Sequence, residues 1–223
     1  RHHIELLGWH FPSTLNGEAK ATLELLKRHG LKPQLWVGGS GRPIQVKDPA
    51  DQNARLQGEM ERLTPIARAA AKIGCTVGLS NEGDWVGEPE NALAVVEKLR
   101  EQGVANVGIV YNMHHGHAHL RGLERVLART LPHLLCVNLN GMDLEGDANG
   151  RKILPLGGGT EDHRVLHLLR GSAYRGPIGV LHNSEEDSEA RLLDNLDGLR
   201  WLVTKLDGNP AGPRPNYRTH ADR

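Results

Sequence analysis

The chain has 223 residues, which is enough for one large domain with a substantial core. Its 27 lysines and arginines balance 27 aspartates and glutamates, which argues against a basic field for nucleic acid or a polybasic membrane patch. No apolar run reaches the roughly 18 residues of a membrane span. The first residue is not Met, so we expect a processed or partial start and assign no compartment, with the cytoplasm slightly favoured.

Four predicted elements open the chain in the order strand, helix, strand, helix. They are Ile4–Trp9, Glu18–His29, Leu31–Val37 and Asp51–Ile73. Ser13 or Asn16 is a suitable N-cap for the first helix, because a short polar side chain accepts hydrogen bonds from first-turn amides. The second helix is expected to break at Pro65, which has no amide hydrogen to donate.

The same alternation continues to residue 206. The further predicted strands are Cys75–Ser80, Val104–Tyr111, Leu134–Leu139, Lys152–Leu156 and Pro177–Leu181. The further predicted helices are Glu90–Gln102, His119–Thr130, Glu161–Leu169 and Glu186–Leu206. The Pro-rich and Arg-rich segment that follows shows no periodicity, so the pattern predicts one domain over residues 1–207 and an irregular tail over 208–223.

Strict alternation of strand and helix predicts parallel strands joined by right-handed crossovers. The strands are short and rich in Val, Ile and Leu, as in parallel sheets with both faces covered. Seven strand–helix units are predicted, one short of a (β/α)8 TIM-type barrel, so we expect the first unit to be missing from this chain. The alternative is an open doubly wound sheet, but no GxGxxG follows an early strand.

Polar and aromatic side chains follow the predicted strands, where the barrel fold places its ligand sites. From the first strand to the last they are Trp9 and His10; Trp36 and Ser40; Ser80, Asn81, Glu82 and Trp85; Asn112, His114 and His115; Asn138 and Asn140; His182, Asn183 and Glu185. Asn138 and Asn140 are two residues apart, so both side chains lie on the same face of their strand. Two amides on that face require hydrogen-bond partners, which a polyhydroxylated ligand would supply.

Five motifs make the sequence resemble the xylose isomerase-like TIM-barrel family of sugar phosphate isomerases and epimerases. They are LSNEGDWVGEPEN (Leu79–Asn91), NVGIVYNMHHGH (Asn106–His117), VNLNGM (Val137–Met142), KILPLGGG (Lys152–Gly159) and GPIGVLHNSEED (Gly176–Asp187). The resemblance covers the chain from about Ile4 to Leu206 and implies a single barrel domain that acts on sugars.

The resemblance also implies a divalent cation held by Glu, Asp, His and Glu, but this sequence departs from all four ligands. Ser80 stands in place of the first Glu, with Glu82 two residues later, and Asn112 replaces the Asp while the accompanying His is kept as His115. Asn138 and Asn140 replace the next His–Asp pair, and His182 replaces the final Glu. The sequence therefore resembles a subgroup that lacks the usual ligand set.

Two interpretations of the polar residues at these strand ends remain open, a metal site and a metal-free polar cavity. Glu82, His115 and His182 offer one carboxylate and two imidazoles that would suit Mn, Zn or Mg, with His114 an alternative to His115. The other reading is a polar cavity without an ion, in which amides and imidazoles bind the ligand directly. In that reading His115 or His182 is the base and Glu82 its partner, while Asn138 and Asn140 donate to a hydroxyl or oxyanion.

The sequence therefore predicts an isomerase or epimerase, or a related lyase, that moves a proton next to a carbonyl of a carbohydrate. The predicted catalytic residues are Glu82, His115 and His182; the predicted substrate-binding residues are Trp9, Trp36, Asn81, Trp85, Asn112, His114, Asn138 and Asn140. The partner is a small-molecule carbohydrate rather than nucleic acid or membrane, and the oligomeric state is open. A non-catalytic carbohydrate-binding barrel is the alternative; phosphodiester cleavage fits poorly with the balanced charge.

Three smaller features carry predictions of their own. Gly157–Gly159 is either a phosphate-binding loop or, as we favour, a flexible turn into a helix. His117 and His119 are expected to be exposed. Cys75 and Cys136 lie in apolar strands and are expected to be buried thiols.

Overall fold

The computed structural model describes residues 7–39, 45–181 and 187–219, and in them six strands alternate with helices. The strands are β1 (Gly8–His10), β2 (Gln34–Val37), β3 (Thr76–Ser80), β4 (Val107–Asn112), β5 (Leu134–Leu139) and β6 (Ile178–Val180). The α-helices are α1 (Gly17–Arg28), α2 (Pro49–Ala71), α3 (Pro89–Glu101), α4 (Leu123–Thr130), α5 (Asp162–Gly171) and α6 (Ser188–Leu206). None of the described helices has the length and apolar character needed to cross a membrane.

The strands form one sheet in the order β1-β2-β3-β4-β5-β6. The first four strands pair in parallel, with Leu35 of β2 opposite Val77 of β3, and β5 pairs in parallel with β6. A doubly wound sheet reverses its strand order at a switch point, whereas a barrel adds each strand beside the preceding one. The observed order is that of a barrel, and the open-sheet alternative is wrong.

The chain divides into two compact units. The first unit comprises the described residues up to Val110 together with Pro132–Leu135, and the second comprises Tyr111–Leu131 and the described residues from Cys136 onward. In the first unit, the core consists of strand residues such as Val77 and Leu79 with helix residues such as Leu63 and Leu99, all fully buried. Burial of each such side chain stabilises the fold by roughly 1.5–3 kcal/mol.

Helix α1 begins where the sequence predicted. Asn16 is its N-cap, and the Asn16 side-chain oxygen accepts a hydrogen bond of 2.9 Å from the backbone N–H of Ala19. Helix α2, in contrast, runs unbroken through Pro65, so the predicted break is wrong. The hydroxyl of Thr64 donates to the carbonyl of Met60 at 2.6 Å in the same turn.

The predicted strand Lys152–Leu156 is absent from the described sheet. This segment makes only an isolated antiparallel bridge, in which Leu154 exchanges backbone hydrogen bonds of 2.7 and 3.3 Å with Gly141. The next residue is Pro155, which has no amide hydrogen to extend the ladder. The predicted helix His119–Thr130 also differs, because two short 3-10 helices, Met113–His115 and His117–Gly122, precede α4.

The described part of the tail, residues 208–219, contains no helix or strand and belongs to the second unit. Asp194 of α6 is fully buried and accepts backbone and side-chain hydrogen bonds from both Arg218 and Thr219. Burial opposes ionisation of Asp194, but these donors outweigh it and lower the pKa of the carboxyl. The Tyr217 hydroxyl donates to the carbonyl of Leu156 at 2.8 Å.

Candidate functional site at the strand ends

In the first unit, two acidic side chains that follow β3 lie against two glycines that follow β2. A Cβ atom on Gly38 would lie 2.0 Å from Oε2 of Glu82, and one on Gly39 would lie 1.4 Å from Oδ2 of Asp84. Any other residue at either position would displace a carboxylate. Asp84 is buried, and its Oδ1 accepts the backbone N–H of Gly87 at 2.9 Å. The glycine pair therefore has a steric role that its sequence alone did not reveal.

The indole of Trp85 is held by a closed set of hydrogen bonds. Its Nε1 donates to Gln52 at 2.8 Å, Gln52 donates to Asn91 at 2.8 Å, and Asn91 donates to the Trp85 carbonyl at 2.8 Å. The ring is 4% exposed. Trp85 therefore packs against α2 and α3, and its predicted role in substrate binding stays a prediction.

The other predicted binding residues of the first unit differ in their exposure. Trp9 on β1 is 45% exposed, whereas Asn81 after β3 is buried. Trp36 is half-buried; its Nε1 donates to Gln34 at 3.0 Å and its ring meets His10 edge-on, with 5.8 Å between ring centroids. Trp9 is thus the tryptophan of this group with the most surface available for a ligand.

In the second unit, the ends of β4 and β5 are joined by an amide pair. Nδ2 of Asn138 donates to Oδ1 of Asn112 at 2.6 Å, and both side chains are buried. Oδ1 of Asn138 accepts the thiol of Cys136 at 3.5 Å and lies over Gly179 of β6, where a Cβ would come within 2.1 Å of it. The predicted buried thiol is confirmed, and burial raises the pKa of Cys136 to about 11.

Asn140 presents a buried oxygen that has no partner among the described residues. Its Nδ2 faces three acceptors: the carbonyls of Gly141 at 2.8 Å and Lys152 at 3.2 Å, and the sulfur of Met142 at 3.1 Å. These acceptors fix the orientation of the amide, and they leave Oδ1 unpaired in a side chain that is 2% exposed. The atom of Asn140 that is left for a ligand is therefore an acceptor, and its predicted role as a donor stays a prediction.

His114 also carries a buried ring nitrogen, Nδ1, without a partner in the described structure. Its ring lies 3.9 Å from that of His115, centroid to centroid. Burial, followed by the positive charges of His115, Lys152 and His117, lowers the pKa of His114 to about 3. His114 is thus a neutral imidazole near pH 7, with one N–H to donate to a ligand and one ring nitrogen to accept from it, and it carries no positive charge.

His117 anchors the loop that follows β5, so the prediction that it is exposed is wrong. It is buried, with Nδ1 3.2 Å from the carbonyl of Asp143 and Nε2 3.0 Å from that of Lys152. The Lys152 carbonyl also accepts Nδ2 of Asn140, so His117 helps to hold the backbone that orients this amide. Sequence reasoning missed this role because the contact partners lie 26 and 35 residues away.

The amides of the glycine-rich loop already bind a carboxyl group that belongs to the chain. The carboxylate of Asp162, which is 2% exposed, accepts the backbone N–H groups of Met142, Gly157 and Gly159 at 2.6, 2.7 and 3.0 Å. Two of the amides that a phosphate would need are therefore occupied, and the phosphate-loop reading is not supported. Burial raises the pKa of Asp162 to about 7, although the three N–H donors favour the ionised form.

The amide pair does not fit the divalent cation that the resemblance implies. Asn112 and Asn138 have no charge, and the Asn112 oxygen that would face a metal accepts an N–H instead. The described residues contain no group of three His, Cys, Asp or Glu side chains that could bind a metal. Of the other predicted set, Glu82 belongs to the first unit, His115 to the second, and His182 lies outside the described residues. That set stays a prediction.

In the second unit the structure pairs Asn112 with Asn138 and His114 with His115, and Asn140 belongs to the same unit. The strand-end residues Ser40, His182, Asn183 and Glu185 lie outside the described residues. His117 and Asp162 were missed as positioning residues. The glycines before Asp162 were a signal for it, because consecutive free amides attract a carboxylate.

No family model matches this chain, and no curated protein does. Several solved structures do match it. An apo 3-keto-D-glucoside 4-epimerase from E. coli is 18% identical, over 90% of this chain and 80% of that one, with a TM-score of 0.58. The IOLI protein with a bound zinc atom is 17% identical, over 92% and 78%, with a TM-score of 0.63. A xylose isomerase-like TIM-barrel protein from Mycobacterium smegmatis in complex with magnesium is 18% identical, over 91% and 74%, with a TM-score of 0.56.

These likenesses agree with the sequential order of the strands and with the motifs at their ends. The chain therefore has the xylose isomerase-like TIM-barrel fold, and its described residues supply six strands of such a barrel.

Proposed function

We propose that this chain is a sugar isomerase or epimerase-like enzyme that moves a proton next to a carbonyl group of its substrate. The observation that carries the proposal is the unpaired oxygen of Asn140 in a buried side chain at the end of β5. A buried acceptor without a partner destabilises the fold by about 1–3 kcal/mol, so a ligand hydroxyl that donates to it restores a substantial interaction. The fold adds support, since similar structures include enzymes named as sugar epimerases.

His114 is suited to the carbonyl of such a substrate. Its lowered pKa keeps the ring neutral, so an N–H can donate to an oxygen as negative charge develops on it. A neutral imidazole can stabilise the developing negative charge by a hydrogen bond, and it does not have to transfer its own proton to do so. We assign His114 and Asn140 to substrate binding, with Asn112 and Asn138 as the buried pair that fixes the ends of β4 and β5.

We assign the proton transfer to His115, whose ring lies 3.9 Å from the neutral ring of His114, centroid to centroid, and is tilted from it by 42°. Histidine is the side chain whose ordinary pKa lies closest to neutral pH, which suits a residue that takes a proton and returns it. His182 remains the second candidate for the base, and Glu82 its predicted partner. No step is assigned to a metal, and metal analysis of the purified protein tests the predicted set Glu82, His115 and His182.

Exchange of substrate hydrogen with deuterated water tests the proposed chemistry. The protein is incubated in D2O with D-psicose, D-tagatose and L-ribulose, and deuterium next to the carbonyl is followed by NMR. We expect His115→Gln to abolish the exchange, while the exposed control His163→Gln leaves it unchanged. Binding without exchange by the unsubstituted protein would contradict the enzyme and favour the non-catalytic carbohydrate-binding barrel. Unchanged exchange in His115→Gln would contradict the role of His115.

A further inference from the structure

A cavity of about 430 Å³ lies in the first unit, between α2 and the loops that follow the first three strands. Its walls include Arg55, Gly58 and Glu59 from α2, and Asp84 and Trp85 from the loop after β3. We infer that this cavity is a second binding site, for a neutral sugar ring or similarly hydroxylated ring. The choice of ligand class rests on the proposed function. Its volume is within the range of roughly 300–1,000 Å³ that is usual for small-molecule sites.

The face of α2 that lines the cavity consists of residues three and four positions apart. Arg55, Gly58, Glu59 and Arg62 therefore project from the same side of the helix. Gly58 has no obvious structural need to be glycine, because a Cβ at this position would meet nothing within 4 Å. Glycine inside a helix is unfavourable, so its presence at the cavity wall points to a space that is kept open.

The polar groups on this face offer both donors and acceptors. Nε of Arg55 lies 3.0 Å from Oδ1 of Asp51, but it is buried and makes no hydrogen bond in the described structure. Oε2 of Glu59 receives Arg62 at 2.9 and 2.5 Å, which leaves Oε1 of Glu59 without one in the same part of the chain. A guanidinium fork and a carboxylate oxygen on adjacent turns match neighbouring hydroxyls, because each hydroxyl both donates and accepts.

The charges around the cavity favour a neutral ligand over an ionic one. The two arginines on the wall are balanced by Glu59 and Asp84, so no net field of either sign attracts an ion. Trp85 also borders the cavity, with 4% of its surface exposed, and the bond from its Nε1 to Gln52 holds the residue in place. A cavity that offers both donors and acceptors and has balanced charge suits a neutral hydroxylated ring, whose hydroxyl groups both donate and accept.

The test fills the cavity without disturbing the helix. Gly58→Leu introduces a side chain where space is open, and Gly58→Ala is its matched control, with the same gain in helix propensity and little added volume. Binding of methyl β-D-glucoside and D-tagatose is measured by calorimetry and saturation-transfer NMR at millimolar concentrations. We expect the unsubstituted protein and Gly58→Ala to bind, Gly58→Leu to lose binding at this site, and Arg55→Gln to weaken it by about tenfold.

Three results would overturn the inference: no binding of either probe by the unsubstituted protein, unchanged binding by Gly58→Leu, or displacement of both sugars by inorganic phosphate. Thermal unfolding establishes that the variants are folded, and Gly58→Leu is expected to melt no lower than the parent protein. If Asn140→Leu alone removes sugar binding, this inference fails while the proposed function stands. If Gly58→Leu removes binding but no sugar exchanges deuterium, the proposed chemistry fails and this site stands.

Discussion

Replacing Asp162 with asparagine keeps the shape of a buried side chain and removes its titration. The carboxyl is 2% exposed and its pKa is raised from 3.8 to about 7, chiefly by burial. Between these two values the native state keeps a proton that the unfolded chain has lost. The native state therefore binds more protons, and its stability falls as pH rises from about 4 to about 7.

The size of this pH effect on stability follows from how far the pKa of Asp162 is raised on folding. A change of about three pKa units corresponds to about 4 kcal/mol in the free energy of unfolding. Other carboxylates also titrate, so the informative quantity is the difference in unfolding free energy between the native protein and Asp162→Asn. We expect that difference to decrease by about 4 kcal/mol from pH 4 to pH 8, and to level off above pH 7.

Urea unfolding at pH 4, 5, 6, 7 and 8 measures this difference. At pH 4 the variant is expected to be less stable than the native protein, because an amide nitrogen replaces one of the oxygens that accept Met142, Gly157 and Gly159. Parallel pH profiles for the two proteins would refute the assignment of a raised pKa to Asp162. A difference that grows with pH only near pH 4 and is constant above pH 5 would show that the three N–H donors outweigh burial.

Three further predictions concern the residues around the site. The Cε1–H resonance of His114 should not titrate between pH 5 and 8, since burial lowers its pKa to about 3; a midpoint near 6.5 in the NMR titration would contradict this. His117→Ala should lower the unfolding free energy by about 2–4 kcal/mol and speed proteolysis between Asp143 and Lys152, because the buried ring and its contacts to both carbonyls are lost. Unchanged proteolysis would argue against the anchoring role. Gly39→Ala should lower the free energy of unfolding by about 1–3 kcal/mol, because the new Cβ displaces Asp84. In the control Gly17→Ala the new Cβ meets nothing within 4 Å, so this variant should be as stable as the native protein or more stable. Equal melting temperatures for the two variants would be inconsistent with the steric role of Gly39.

Local chemistry was the part of the fold that could be predicted most closely. The bounds of β5, Leu134–Leu139, and the cap at Asn16 match the structure because apolar β-branched runs and short polar caps act over a few residues. The errors arose where a distant partner decided the outcome. Lys152–Leu156 has strand-like composition, but Gly141 pairs with it in the antiparallel sense and Pro155 ends the pairing.

In the candidate site, too, the features set by neighbouring residues could be predicted and those set by distant partners could not. The spacing of Asn138 and Asn140 placed both amides on one face of a strand, and the motif around Asn112 placed that residue at a strand end. The sequence could not show that Asn138 pairs with Asn112, or that Asn140 uses its nitrogen and leaves its oxygen unpaired. Those outcomes depend on carbonyl groups and side chains that only folding brings near.

The sequence by itself determined the alternation of strands and helices, and from it the parallel barrel-type sheet, because periodicity and chain connectivity are local properties. It also determined that polar residues gather at the strand ends. Only the tertiary structure decided which of them pair with one another and which atoms stay available, because desolvation and hydrogen bonding depend on neighbours far away in sequence. The buried positions of His117 and Asp162, and the steric need for Gly38 and Gly39, are consequences of that packing.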